Sequence, residues 1–143
     1  GRDPLAAANK LAAEGLAVII YPEGSLTRDP DLWPMRGKSG AVRMALEAGV
    51  PLIPMAHWGT QKVLPRYGKR ISLFPRKTIL AKFGAPLDLS RFDGRKIDSA
   101  LLTEATGMLM KAIAELLSEL RGEPAPGELW DPSKHNQSEI GRF

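Results

Sequence analysis

Apolar and polar positions alternate in a helix-like rhythm at three places along the chain and cluster into short apolar runs at several others. Asp3-Pro4 has the form of a helix start, an acidic N-cap followed by proline at the first helical position. The alanine-rich run to Glu14 favours helix, and Gly15 closes it. Leu16–Tyr21 is continuously apolar, which predicts a strand buried on both faces, as in a parallel sheet; Pro22 ends it. A polar loop runs from Pro22 to about Lys38. The spacing of Ala41, Val42, Ala45, Leu46 and Ala48 then predicts a helix over Ser39–Ala48, stopped by Gly49. Pro51–Ala56 reads as a second short apolar strand, and its two prolines place it at an edge or make it irregular. Strand, loop, helix and strand form a βαβ unit, for which a parallel pair with a right-handed crossover is expected.

Further along, Ile71–Phe74 and Thr78–Phe83 are predicted as short strands around the turn-like Phe74-Pro75-Arg76-Lys77. A long helix is expected over Asp98–Arg121, with Leu102, Ala105, Leu109, Ile113, Leu116, Leu117 and Leu120 as its buried stripe and Gly122 and Pro124 as its stop. Glu123–Phe143 is rich in proline and glycine and shows little periodicity, so a mostly extended or disordered tail is expected. These readings predict an α/β fold, a layered sandwich with a mixed, mainly parallel sheet, over residues 1–121, followed by the tail 122–143. At 143 residues the chain is long enough for one domain with a real core.

Composition narrows the chemistry. The chain has no Cys, which excludes disulfides, thiolate metal sites and thiol nucleophiles. Its two His lack metal-ligand spacing, so no metal site is expected. No run approaches the roughly 20 apolar residues a membrane-spanning helix needs. The net charge is +4, but it is unevenly placed. Between His57 and Pro86 stand Lys62, Arg66, Lys69, Arg70, Arg76, Lys77 and Lys82 with no acid among them, interleaved with Trp58, Tyr67, Phe74 and Phe83. Such a block suits an anionic membrane face or a nucleic acid.

The loop after the first predicted strand is the richest in candidate chemistry. In open parallel sheets, ligands bind beyond the carboxyl ends of the strands. There the chain carries Glu23, Gly24, Ser25, Thr27 and Arg28, then Arg36 and Lys38 ahead of a helix N-terminus. Three cations, several hydroxyls and a glycine that permits close backbone approach suit a phosphate. Gly37-Lys38-Ser39 is not a P-loop, because Leu32 stands where that motif needs its first glycine. His57 follows a strand but has no acid near it in sequence.

Four blocks in order resemble the glycerolipid acyltransferases, the PlsC-like 1-acylglycerol-3-phosphate acyltransferase family. Tyr21-Pro22-Glu23-Gly24-Ser25 is similar to the family's F-P-E-G-[ST]. Arg36-Gly37-Lys38-Ser39-Gly40-Ala41 is similar to its basic K-x-G-A stretch, Val50–Met55 to V-P-[ILV]-[IV]-P-[VM], and Phe83–Leu87 to F-G-x-P-[IL]. The resemblance spans about Ala7 to Leu120. It implies acyl transfer from acyl-CoA or acyl carrier protein to the hydroxyl of a lysophosphatidate, giving phosphatidate, with no further cofactor. It also implies a site at the cytoplasmic membrane face, with an anionic membrane surface rather than nucleic acid as partner. By resemblance Glu23, Gly24 and Ser25 shape the acceptor phosphate pocket and Pro54 the substrate cleft. Leu26 stands where the family has Arg, leaving Arg28, Arg36 and Lys38 as candidate phosphate ligands.

The family's catalytic H-x-x-x-x-D block, whose His is the general base, precedes E-G-[ST]. Here Lys62 lies five positions after His57 and Ile140 five after His135, both downstream. The expectation is a C-terminal portion of an acyltransferase, inactive alone, with catalytic residues and any membrane anchor on a preceding segment. A non-enzymatic basic module that binds anionic lipid or nucleic acid is the alternative, and a degenerate acyltransferase serving as a scaffold is a third reading.

Overall fold

The computed structural model describes residues 4–138. Its elements are α1 (Pro4–Ala13), α2 (Gly40–Ala48), β1 (Met55–Trp58), the single turn α3 (Thr60–Val63), β2 (Leu80–Phe83) and α4 (Ser99–Arg121). The expected cap at Asp3 and the last part of the tail, 139–143, lie outside the described residues.

α4 organises the interior. Asp98 caps it, its carboxylate accepting from the Leu101 N–H at 2.8 Å, and Gly122 ends it at φ 69° with its N–H donating to the Ser118 carbonyl. Leu101, Leu102, Ala105 and Leu109 of α4 bury against Ala41 and Val42 of α2 and against Phe92. Further along the same helix, Leu116 and Leu117 pack with Trp33 and Ala56. The two helices predicted from periodicity therefore form, and their apolar faces meet.

The sheet differs from the expected one. The two strands β1 and β2 pair antiparallel, with Met55 opposite Phe83 and Trp58 opposite Leu80. α4 packs against both. The molecule is α/β, but this antiparallel pair is not the mainly parallel sheet of a layered sandwich. Proline explains the shift of β1 toward the C-terminus. Pro51 and Pro54 have no N–H to give a ladder, so Pro54 contributes only its carbonyl, which accepts from Gly84 N–H at 2.9 Å.

Leu16–Tyr21 forms no strand. A strand exists through its ladder partners, and none pairs with this run among the described residues. Its side chains stand in solvent instead of a core, with Ile19 74% exposed. Ile71–Phe74 forms no strand either. Its Ser72 N–H donates to the Val63 carbonyl, while Ile71, Leu73 and Phe74 are exposed.

The segment after Gly122, expected to be extended or disordered, folds back on the loop before α2. Met35 and Trp130 form an isolated parallel bridge, and Arg36 N–H donates to the Trp130 carbonyl at 2.8 Å. A 3-10 turn follows at Pro132–His135, with Pro132 fully buried and the His135 ring stacked on Trp130 at 3.7 Å.

Candidate functional site

The loop Pro22–Lys38 closes on itself, because Lys38 N–H donates to the Pro22 carbonyl at 2.8 Å. Inside this closure the Glu23 carboxylate accepts the Met35 N–H at 3.0 Å. Burial of the carboxyl pushes the Glu23 pKa up to about 7, against the lowering effect of that hydrogen bond. Gly24 follows at φ +68°, a conformation L side chains rarely adopt. The Lys38 side chain folds over it, its Nζ 3.3 Å from where a Gly24 Cβ would stand. Gly37 faces Met110 so closely that a Cβ there would meet its sulfur at 2.6 Å. Small residues thus let the two ends of the loop meet and seat the second end on α4.

The fold therefore brings Glu23, Gly24, Ser25 and Lys38 together. Glu23, Ser25 and Pro54 also line one open cleft of about 990 Å³. Most of its wall is apolar, including Leu16, Ile20, Met44, Val50 and Leu117, with polar groups such as His57 and Thr27 set among them. An apolar groove with a few placed polar groups suits an amphiphilic ligand. His57 borders Tyr21 edge to face at 6.4 Å between centroids, and its Nδ1 lies 3.4 Å from the Thr60 hydroxyl.

Arg28 and Arg36 are placed differently. Arg28 is buried at 4% exposure and donates through Nη1 to the Tyr67 hydroxyl at 3.0 Å. It sits in a tight knot in which the Thr27 hydroxyl bonds the Trp33 carbonyl and accepts the Asp29 N–H. Arg66 donates to the Thr27 and Asp29 carbonyls at 2.7 and 2.8 Å. Arg36 is exposed, with its Nε 3.8 Å from the Asp131 carboxylate. Neither arginine lines the cleft, and neither does Lys38, which reaches over Gly24 instead.

Several residues that shape this region escape sequence reading. Met35 matters through its backbone N–H, which no side-chain pattern announces. Arg121, the last residue of α4, lies between the Trp33 and Trp58 rings, 4.1 and 4.5 Å from their centroids, and donates to the Asp31 carbonyl. It ties the end of the helix to the loop across 90 residues of sequence. Its cationic plane on two indoles is the one signal available, and it appears only once the chain is folded. No group of three or more His, Asp or Glu placed to hold a metal occurs among the described residues. No helix among them is long and apolar enough to cross a membrane.

The Acyltransferase family model matches residues 2–58, the stretch that contains the whole closed loop. A chloroplastic 1-acyl-sn-glycerol-3-phosphate acyltransferase of Brassica napus is 38% identical over 56 residues, 39% of this chain and 16% of that protein. The 1-acyl-sn-glycerol-3-phosphate acyltransferase of Limnanthes douglasii is 31% identical over 88 residues, 62% of this chain and 30% of its own length. That of Escherichia coli is 25% identical over 121 residues, 85% of this chain and 46% of its own length. The chain spans less than half the length of each of these relatives. No solved structure matches it significantly. The family match falls on the loop that gathers Glu23, Gly24, Ser25 and Lys38, and over that stretch the chain is similar to the acyltransferases, as it is to the relatives named.

Proposed function

We propose that this chain forms the acceptor-binding part of a 1-acylglycerol-3-phosphate O-acyltransferase in phospholipid biosynthesis. The observation that carries the reading is the Lys38 ammonium folded over Gly24, whose sequence neighbours Glu23 and Ser25 line the apolar cleft. Lys38 is the cation for the acceptor phosphate, and the cleft holds an acyl chain. Gly24 leaves room for the phosphate to approach the backbone, and Ser25 offers a hydroxyl to it. Arg28, already engaged by Tyr67, and Arg36, beside Asp131, hold the loop instead of the ligand.

In the reaction the acceptor hydroxyl oxygen attacks the thioester carbonyl of acyl-CoA or an acyl carrier protein. An ester bond forms, the carbon–sulfur bond breaks, and the hydroxyl proton passes by way of a base to the departing thiolate. That base is the family's His with its Asp, which this sequence does not contain in the H-x-x-x-x-D form, so the chain alone is inactive. The reading includes a working place at the cytoplasmic membrane face. It also includes the layered, mainly parallel sandwich, in which Leu16–Tyr21 would gain strand neighbours.

Calorimetric titration of the chain with a short-chain lysophosphatidate, below its micelle concentration, tests the reading. Binding is expected to weaken about tenfold in Lys38→Ala, the scale of a lost charge-assisted hydrogen bond. The corresponding unphosphorylated monoacylglycerol should bind both forms alike. Equal losses for both ligands, or no loss for either, would remove Lys38 from the phosphate site. Turnover by the chain with acyl-CoA would overturn its assignment as an acceptor-binding part alone.

A further inference from the structure

The cleft and its loop leave one prominent surface unexplained, the segment between β1 and β2. Its tip is apolar and stands in solvent: Phe74 is 83% exposed, Ile71 66% and Leu73 62%. Lys69, Arg70 and Arg76 flank the tip and are exposed as well. No acid occurs from His57 to Pro86, so the cations flanking the tip have no acidic neighbour in sequence. The base of the segment is held firmly. Gly68 N–H donates to the Pro65 carbonyl at 2.7 Å and Ser72 N–H to the Val63 carbonyl at 2.8 Å. Arg66 fastens it to the loop of the candidate site through the Thr27 and Asp29 carbonyls.

We propose that this segment is a membrane-inserting wedge: Ile71, Leu73 and Phe74 enter the apolar layer of an anionic bilayer while Lys69, Arg70 and Arg76 bind its headgroups. Apolar side chains exposed together on a surface mark a site that meets another apolar phase. The surrounding positive charge selects one that carries negative charge at its boundary. A second copy of this chain would bring the same cations against these and be repelled. A nucleic acid would use flat rings for stacking, whereas two of the three tip residues are aliphatic. The wedge adjoins the cleft, because Leu64 and Tyr67 at its base line the cleft wall. A lipid lifted from the bilayer at the wedge would meet that wall first. This last step rests on the proposed acceptor site; the docking itself does not.

The test uses the full 143-residue chain and vesicles of phosphatidylcholine, either alone or with about one-third phosphatidylglycerol, at physiological salt. Co-sedimentation is expected with the anionic vesicles only. Phe74→Asp should weaken it about tenfold or more, the scale of losing one buried aromatic side chain. Arg70→Glu and Arg76→Glu should each weaken it at least about fivefold. Because the chain has no Cys, Phe74→Cys accepts a single nitrobenzoxadiazole label. Its emission should shift to the blue on anionic vesicles and be quenched by lipids carrying doxyl groups on their acyl chains. Unchanged binding by Phe74→Asp, or a label that stays water-exposed on bound vesicles, would overturn the wedge. So would tighter binding to homopolymeric RNA than to the vesicles. Acceptor titrations are independent of these outcomes, so failure of the wedge and failure of the acceptor site are separable.

Discussion

Glu23 holds its proton more tightly in the folded chain than in the unfolded one, because its carboxyl is buried with a single backbone N–H to offset the loss of water. Its pKa rises from 4.5 to about 7. A group raised in this way adds stability that is fully present below its unfolded pKa and is lost as pH climbs through its folded pKa. Over the window from about 4.5 to about 7 the loss amounts to about 3 kcal/mol at most. Gln in its place is neutral at every pH and can still accept from Met35. Urea unfolding of Glu23→Gln should therefore show a flatter pH dependence, with the variant gaining on the parent as pH rises to 8. Parallel curves for the two proteins would mean that the carboxyl is solvated. The same residue scale separates the three candidate cations. The sequence offers Arg28, Arg36 and Lys38 as equals, and only folded distances show Arg28 turned to Tyr67 and Lys38 turned to Gly24.

Among the elements, α4 carries both apolar clusters, so its buried face sets much of the stability. Leu101→Ala, at a position 1% exposed, should lower unfolding free energy by about 2–5 kcal/mol in denaturant titration. Lys111→Ala, on the exposed side of the same helix, should change it by less than about 0.5 kcal/mol. Helices such as this one were legible because their signals are local. Asp98, Gly49 and Gly122 mark ends, and the apolar spacing marks the buried face. Strands were less legible because pairing is not local. Leu16–Tyr21 has every apolar residue a buried strand needs and no ladder, whereas Met55–Trp58, with His57 in its middle, has a ladder. The loop Pro22–Lys38 was legible as a cluster of residue types. Its closure depends on the Met35 N–H and on Trp130, which lies 95 positions further on and bridges to Met35.

At the scale of the whole molecule, apolar surface is unevenly spent. Leu16, Val18, Ile19 and Tyr21 form an exposed apolar run with no ladder partner among the described residues, the kind of edge on which chains associate. Self-association through this run should raise light scattering with concentration, and Ile19→Lys should reduce it while leaving the unfolding midpoint unchanged. A variant that scatters as the parent does would place association outside this run. The two patches differ in what surrounds them: cations flank Phe74, and the glycine-ended helix and loop flank Ile19. One therefore suits a charged interface, and the other suits backbone pairing.

The guanidinium of Arg121 between Trp33 and Trp58, and the bridge of Trp130 to Met35, place all three tryptophans of the chain in tertiary contacts. Native fluorescence thus carries a built-in map. Two emitters watch the junction of α4 with the Pro22–Lys38 loop and β1, and the third watches the C-terminal segment clasped to Met35. Replacing Trp130 alone would leave the optical signal of the first junction readable by itself. The order in which clasp and helix let go during unfolding could then be followed without adding any dye.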